Sequence, residues 1–231
     1  MSQRGRIDFL ADRDELPLPG LRHIGWSQFV AASPGSLDAH AHAGAYEVCL
    51  ILRGTLRWWV GDGHFTVRAG HVFMTLPDEI HGGDNAIMDP CELLWVSFDC
   101  SQDLGITPEQ AAAIDQRLRS AAHRGCRAPD GLATHYHTIL KAQQTQTATS
   151  ALQVRGGLAL LLAGITAAYT TPEPALAERP RIEAAKNLLT ADQASVTEIA
   201  LRCGFNSSAW FATAFRQRTG FSPRAWREHH A

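Results

Sequence analysis

The stretch RIEAAKNLLTADQASVTEIALRCGFNSSAWFATAFRQRTGFSPRAWR, residues 181–227, decides the fold of the carboxyl-terminal part of the chain. It predicts three short helices separated by two tight breaks, the arrangement that places a recognition helix in the major groove of DNA. The first helix carries an apolar stripe at helical spacing, made of Ile182, Ala185, Leu188 and Leu189. A purely structural three-helix bundle with the same stripes is the alternative.

The second helix has a start signal and a stop signal. Ser195 can cap its free backbone N–H groups, and Glu198 three residues later completes a capping box. Gly204 can adopt the left-handed conformation that ends a helix, and Phe205 is expected to fix the following turn to the core. The residues predicted to point inward are Ile199, Ala200 and Cys203.

The third helix is predicted to be the one that contacts DNA. Asn206 or Ser207 would cap it, and Phe211 and Phe215 would be buried. Its other face carries small polar and cationic side chains, which suit base edges and phosphates: Ser207, Ser208, Ala209, Ala212, Thr213, Arg216 and Arg218.

This stretch closely resembles the DNA-binding region of AraC-type transcription regulators. The resemblance rests on fixed spacings between residues 195–200, Gly204-Phe205, Phe215-Arg216, residues 220–223 and Trp226-Arg227. It implies a DNA-binding function and double-stranded DNA as a partner. Regulators of this family generally have two helix-turn-helix units, whereas the sequence shows one. We therefore expect a homodimer, because pairing two chains compensates for the contacts that a single unit lacks.

Composition agrees with a cytoplasmic protein of two domains. The net charge is −2, but residues 179–231 hold eight Lys or Arg against four Asp or Glu, so a basic tail follows an acidic body. The amino terminus lacks the apolar core of a signal peptide, and no uninterrupted apolar run is long enough to span a bilayer. Five dispersed cysteines are predicted to be reduced thiols: Cys49, Cys91, Cys100, Cys126 and Cys203.

The first hundred residues have the pattern of an all-β domain. Short apolar or alternating runs predict strands at 47–52, 55–60, 64–67, 72–76 and 93–98. Turn signals separate them, at Arg53-Gly54, Gly61-Asp62-Gly63, Ala69-Gly70 and Asp89-Pro90. Short strands at this spacing favour a sandwich or a small barrel.

Two segments of this region resemble the two cupin motifs, SPGSLDAHAHAGAYEVCLILRG (33–54) and GHFTVRAGHVFMTLPDEIHGG (63–83). The position of His81, after the Leu-Pro-Asp-Glu-Ile segment, is similar to that in the sensor cupins of AraC-type regulators. The resemblance implies that His40, His42, Glu47 and His81 gather in the barrel. They could hold a divalent metal, or they could bind an effector by hydrogen bonds without one.

Aromatic side chains are candidates for the same pocket. Trp58 and Trp59 are consecutive on a strand and must point to opposite faces, so one of them faces the interior. Trp95 lies on another strand, and both packing and ligand contact are open for it. The predicted effector-binding residues are therefore His40, His42, Glu47, Trp58, His81 and Trp95. The remaining histidines, including His23 and His64, are interpreted as surface or turn residues.

The middle of the chain is predicted to be helical. Thr107-Pro108-Glu109-Gln110 is a helix start, and that helix should run to about His123. A second stretch, 135–169, carries a broad apolar face of Leu152, Leu158, Leu161, Leu162 and Ile165, which could cover the barrel or pair two subunits. Two prolines then mark a linker.

The prediction is an α+β multidomain protein: a cupin-like β domain at 1–105, a helical segment at 106–170, a linker at 171–180 and a helix-turn-helix domain at 181–231. Its predicted function is ligand-responsive, sequence-specific regulation of transcription, without catalysis and without a membrane partner. The alternative is a metal-dependent cupin enzyme, a dioxygenase or an isomerase.

Overall fold

The structure is a computed structural model that describes residues 3–170, 181–191, 194–203 and 208–230. The chain divides into two compact units. The first contains most of the strands and the first three helices, and the second contains the four carboxyl-terminal helices.

The described residues form ten strands, which lie in the first unit except for residues 59–65, at the end of one strand and the start of the next. They are β1 (Gln3–Leu10), β2 (Leu21–Phe29), β3 (Ser33–Pro34), β4 (Tyr46–Val60), β5 (Gly63–Arg68), β6 (His71–Thr75), β7 (His81–Gly83), β8 (Ile87–Met88), β9 (Cys91–Phe98) and β10 (Gly125–Arg127). A 3₁₀ turn, Asp84–Ala86, separates β7 from β8. The prediction of an all-β amino-terminal domain is confirmed, although β1 and β2 were absent from the predicted strands.

The main sheet has the strand order β1-β2-β9-β4-β6-β10, with β5 and β7 also paired to β4, while β3 and β8 form a separate pair. Alternation along β4 sends Tyr46, Val48 and Leu50 into a core shared with the helices. Glu47 and Cys49 point to the opposite face because successive side chains alternate across a strand. That second face is the inner wall of the candidate site.

One of the turns predicted from the sequence is wrong. Arg53-Gly54 does not separate two strands, because β4 continues from Tyr46 to Val60. The register against β9 shifts between Ile51 and Arg53, and Gly54 has φ +78°. A Cβ on Gly54 would lie 2.3 Å from the Pro90 carbonyl oxygen, so glycine lets the bulged strand pass close to its neighbour.

Three helices complete the first unit: α1 (Pro108–Arg119), α2 (Leu132–Thr145) and α3 (Ser150–Ala168). The predicted capping box at Thr107 and Gln110 is present. Helix α1 ends at Arg119 rather than near His123, because the following residues enter β10. The stretch predicted as one helix from 135 to 169 is two helices, separated at residues 146–149 with Gln146 at φ +43°.

Helix α3 has two different faces. Leu158, Leu161, Leu162 and Ile165 are at most 1% exposed and lie in the core, as the apolar pattern predicted. Leu152 was wrongly placed on that face, because it is 70% exposed. By length and composition alone, α3 could cross a membrane, and its core face accounts for much of this apolar character.

The second unit contains α4 (Arg181–Ala191), α5 (Val196–Arg202), α6 (Ser208–Thr219) and α7 (Pro223–His230). Its core confirms the predicted inward residues on three helices: Ile182, Ala185, Leu189, Ile199, Ala200, Cys203, Phe211 and Phe215, with Leu188 packed against them. Ser195 and Glu198 form the predicted capping box of α5. The expectations for Gly204, Phe205, Asn206 and Ser207 lie outside the described residues.

Candidate effector pocket and helix-turn-helix surface

A row of polar side chains crosses the inner face of the main sheet. In the strand register, Glu47 on β4 lies opposite Thr75 on β6 and opposite Ser97 on β9. Directly opposed residues carry their Cβ atoms about 5 Å apart, so the three side chains are neighbours on one face. All three are buried, Glu47 at 7% and the two hydroxyl residues at 1% exposure.

Three histidines close around Glu47. His40 and His81 are joined by two backbone hydrogen bonds of 3.0 and 2.9 Å between the N–H of each and the carbonyl of the other. Their ring centroids are 4.3 Å apart, and His42 lies within 5.4 Å of both. One ligand atom from each of His40, His42, Glu47 and His81 lies within 4.8 Å of all the others. The predicted convergence of these four residues is therefore present.

Glu47 is held between two imidazoles. His81 Nε2 lies 3.2 Å from Glu47 Oε2, while His42 Nε2 lies 3.4 Å from Oε1, too poorly aligned for a hydrogen bond. Burial would raise the pKa of Glu47, but the contacts with His42 and His81 outweigh it and hold that pKa well below its usual range. The carboxyl is therefore ionised at neutral pH.

The tautomer of His81 follows from its second nitrogen. Nδ1 lies 2.9 Å from the Glu79 carbonyl oxygen and can only donate there. A neutral His81 would then direct a lone pair from Nε2 at the Glu47 carboxylate. Either a proton or a cation must therefore lie between Nε2 and the carboxylate. Burial lowers the pKa of His81, but the contact with Glu47 outweighs burial and raises that pKa above its ordinary value. Burial lowers the pKa of His40.

A cavity of about 240 Å³ opens beside this cluster. Its wall includes five of the predicted effector-binding residues, and His81 adjoins it through Glu47. Trp58, 2% exposed, is the tryptophan of the consecutive pair that lines the cavity. The described residues of the wall are Arg6, His23, Ser27, Phe29, Ser36, Leu37, His40, His42, Glu47, Cys49, Trp58, Met88, Leu93 and Trp95.

The Trp95 ring fits in the cavity wall because the residue opposite it on the neighbouring strand is a glycine. A Cβ on Gly25, its register partner on β2, would lie 2.1 Å from the Trp95 ring. The indole N–H lies 3.3 Å from the His23 ring nitrogens, and the Arg6 guanidinium lies 5.5 Å from the Trp95 ring centroid. Arg6 also pairs with Asp8, which contacts His23 at 3.4 Å. Trp95 thus has fixed partners at its edge and face.

Buried polar atoms in this region lack hydrogen-bond partners among the described residues. They are His42 Nε2, Trp58 Nε1, Thr75 Oγ1 and Ser97 Oγ. Because a buried polar group without a hydrogen bond costs about 1–3 kcal/mol, such atoms usually serve water or a ligand. The inner wall therefore offers unused hydrogen-bonding capacity next to two indole rings.

The structure corrects two histidine assignments and adds residues that the sequence did not indicate. His23 is not a surface residue but part of the cavity wall, and His64 is buried at 8% exposure on β5. Arg6 and Ser27 line the cavity from strands that were not predicted. Their alternation along β1 and β2 was the available signal, but glycines and mixed polarity interrupt it.

The predicted DNA-contacting residues are described in part. On α6, Ser208 and Arg216 are exposed and Ala212 is half-buried. Ser207 and the side chains of Ala209, Thr213 and Arg218 lie outside the described part of the chain. Phe211 and Phe215 anchor the opposite face of α6 in the core, with ring centroids 5.5 Å apart.

Residues 34–162 match the family model of the AraC-like ligand binding domain, which is more than half of the chain. The chain belongs to the AraC-type transcriptional regulators. Residues 165–229 match a helix-turn-helix domain model, so both parts of an AraC-type regulator are represented. This match confirms the predicted cupin-like β domain and helical carboxyl-terminal domain.

The curated relatives of this AraC-type chain align with a short part of it. The HTH-type transcriptional activator RhaS of Escherichia coli is 47% identical over 58 residues, which are 25% of this chain and 20% of RhaS. The chain therefore aligns with about a fifth of the curated relatives' length.

Two solved structures of AraC-type or ToxT proteins match the chain at low sequence identity. The AraC-like transcriptional activator CuxR is 13% identical, with 90% of this chain and 74% of that chain covered and a TM-score of 0.47. An apo ToxT variant from Vibrio cholerae is 10% identical, with coverage of 94% and 99% and a TM-score of 0.39.

Proposed function

We propose that this AraC-type chain is a cytoplasmic, ligand-responsive regulator that binds double-stranded DNA and catalyses no reaction. The observation that carries this proposal is the combination of a walled polar cavity with a capped helix-turn-helix in one chain. The cavity offers a small-molecule effector two indole rings and two side-chain atoms, Trp58 Nε1 and His42 Nε2, that have no hydrogen-bond partner among the described residues. Helix α6 presents Ser208 and Arg216 to a partner outside the unit.

The proposed domain limits follow the sequence prediction. The β domain, 1–105, holds the effector pocket, and the helices of 106–170 cover its outer face. The proposed linker, 171–180, lies outside the described residues, and 181–231 is the proposed DNA-binding domain. Support comes from the division into two compact units and from the two family matches.

We propose that the four-residue cluster of His40, His42, Glu47 and His81 is the recognition centre of the pocket. Three imidazoles and one carboxylate form a donor set that suits a divalent transition metal, and the lone-pair conflict between His81 and Glu47 would be removed by a cation. A bound metal would supply a Lewis-acidic anchor for an anionic or hydroxylated effector. Without metal, the same residues would bind the effector by hydrogen bonds.

The alternative of a metal-dependent enzyme, a dioxygenase or an isomerase, rests on the same four residues. The helix-turn-helix has no role in that alternative. Selection of DNA from a random pool by the purified full chain, with metal analysis of the same preparation, distinguishes the two. A regulator enriches a defined sequence, whereas enrichment of no sequence contradicts the proposal.

We also propose a homodimer, although the buried apolar face of α3, which by sequence could pair two subunits, is not its interface. Leu158, Leu161, Leu162 and Ile165 cannot pair two subunits because they are buried within one. The opposite face of α3 is exposed and made of apolar and small residues: Leu152, Gly156, Leu160, Ala163 and Ala167. Small residues let two helices approach closely, and a symmetric pair is the commonest soluble assembly.

A further inference from the structure

A turn beneath the recognition centre connects His81 to an ion pair. The Glu79 carbonyl accepts from His81 Nδ1 at 2.9 Å, and the Glu79 carboxylate accepts from the Leu76 N–H at 2.7 Å. Asp78, at φ +66° in the same turn, donates its N–H to the His42 carbonyl at 3.1 Å. The turn therefore contacts two of the three histidines and fixes the orientation of His81.

The ion pair is formed by Glu79 and Arg124. Arg124 Nη1 donates to Glu79 Oε2 at 2.7 Å, and Nη2 donates to Oε1, so the pair is bidentate. Both side chains are about three-quarters buried, with exposures of 25% and 26%. A two-point contact between planar groups transmits a displacement better than a single flexible contact, since it fixes both distance and angle.

Arg124 is joined in turn to the carboxyl end of α3. Its carbonyl accepts from the Met74 N–H and from the Tyr169 hydroxyl, each at 2.8 Å. Tyr169 is the C-cap residue of α3 and is 3% exposed. Arg117 holds the same end by donating to the Tyr169 carbonyl at 3.0 Å. Beyond this end lies the segment that leads to the helix-turn-helix.

We propose that the Glu79–Arg124 ion pair couples the state of His81 to Tyr169, so that occupation of the pocket alters the end of α3. The inference rests on the proposed function, because it assigns a route from the effector pocket toward the DNA-binding domain. Glu79 and Arg124 are positioning residues that touch neither effector nor DNA. A change at His81 moves the Glu79 carbonyl, and the bidentate contact carries that movement to the backbone of Arg124.

The test uses the three tyrosines of the chain, Tyr46, Tyr136 and Tyr169, as reporters. Full-length protein labelled with 3-fluorotyrosine gives three ¹⁹F resonances, assigned by replacing each tyrosine with phenylalanine. His81→Gln stands in for a change at the recognition centre. It is compared in the wild type and in Glu79→Gln, with Arg124→Gln as a second variant that interrupts the same pair.

The coupling predicts that His81→Gln shifts the Tyr169 resonance in the wild type and causes no further shift in either ion-pair variant. Arg57→Gln is the matched control, because Arg57 makes a bidentate pair with Asp89 at 2.9 Å elsewhere in the unit. In that background the Tyr169 shift should persist. Tyr46, which donates to Asp115, should keep its resonance in every variant.

Any of three results overturns the proposal. His81→Gln could leave the Tyr169 resonance unchanged in the wild type, shift it equally in the wild-type and Glu79→Gln backgrounds, or shift all three tyrosine resonances equally. The readout requires no DNA, so it remains decisive if the wild type selects no DNA sequence and the proposed function fails. With DNA selected by the wild type, His81→Gln should change affinity in the wild type and leave it unchanged in Glu79→Gln.

Discussion

At the scale of single residues, Glu47 determines the chemistry of the pocket. It is buried between His42 and His81 and is flanked by two hydroxyl side chains on the neighbouring strands. A buried, ionised carboxylate in such a place is stable only beside a protonated imidazole or a bound cation. The charge state of the pocket therefore depends on pH in the absence of metal.

We expect the stability difference between the wild type and Glu47→Gln to be largest between about pH 4.5 and 6.5, the ordinary values of the two groups. The lowered pKa of Glu47 stabilises the folded state above 4.5, and this contribution is lost as pH falls through the folded pKa. The raised pKa of His81 stabilises below 6.5, and this contribution is lost as pH rises through the folded pKa.

Within that window the substitution should destabilise by about 3–5 kcal/mol, because it leaves a buried imidazolium without its partner. Urea denaturation in chelator-containing buffer from about pH 4 to 8 measures the difference. A difference that does not change with pH would show that the pair does not titrate as described.

Gly25 gives a second prediction at this scale. Gly25→Ala should displace the Trp95 ring and destabilise the protein by about 1–3 kcal/mol, because the added Cβ would lie 2.1 Å from that ring. Gly156→Ala, compared at a protein concentration where the chain is monomeric, is the matched control, since a Cβ there meets nothing within 4 Å in its own subunit and alanine favours a helix. Chemical denaturation followed by tryptophan fluorescence measures both. Equal effects of the two substitutions would contradict the inference that Gly25 leaves the space that the Trp95 ring occupies.

At the scale of the element, α3 has one face packed in the core and one exposed apolar face, which is the proposed dimer interface. Leu161 is 0% exposed and its neighbour Leu160 is 57% exposed. Two adjacent leucines therefore have different environments: Leu161 packs in the core, and Leu160 lies on the exposed face. This contrast allows the stability of the subunit and the proposed dimer to be tested separately.

We expect Leu161→Ala to lower the free energy of unfolding by about 2–5 kcal/mol, because it opens a cavity in the core. Leu160→Glu should leave the stability of the subunit nearly unchanged and convert a dimer to a monomer, because it places a charge on the exposed apolar face. Light scattering at micromolar concentration checks the mass against the 25.2 kDa chain. A Leu160→Glu protein that remains dimeric would assign the interface elsewhere.

At the scale of the whole molecule, one chain combines a sensor-type β domain with a helix-turn-helix. The helix-turn-helix part is basic by sequence while the remainder is acidic. Non-specific attraction to phosphates should therefore come from the carboxyl-terminal helices alone. This separation of charge makes a salt dependence informative about which domain contacts DNA.

Arg216→Ala should weaken binding to all DNA sequences alike and reduce the slope of log K against log salt by about 1, because it removes one phosphate contact. Arg155→Ala, which removes an exposed cation from the first unit, should leave the slope unchanged. Fluorescence anisotropy at several salt concentrations measures both. An unaltered slope with a changed base preference would move Arg216 to direct base recognition.

The sequence alone determined the local features of this protein. The capping boxes at Thr107 and Ser195 depend on residues three positions apart, and the apolar stripes of α4, α5 and α6 depend on helical period, so neither needs distant contacts. The family followed from the same local spacings. The four-residue cluster followed from resemblance, and the strand register brought its members together.

Only the tertiary structure decided features that depend on residues far apart in the chain. Strand pairing and helix packing determine which face of α3 is buried, the bulge between Ile51 and Arg53, and the places of His23 and Arg6 in the cavity wall. Glu79, Arg124 and Tyr169 are separated by 45 residues at each step. No local period links such residues, because the pairing of β6 with β10 and the packing of α3 bring them into contact.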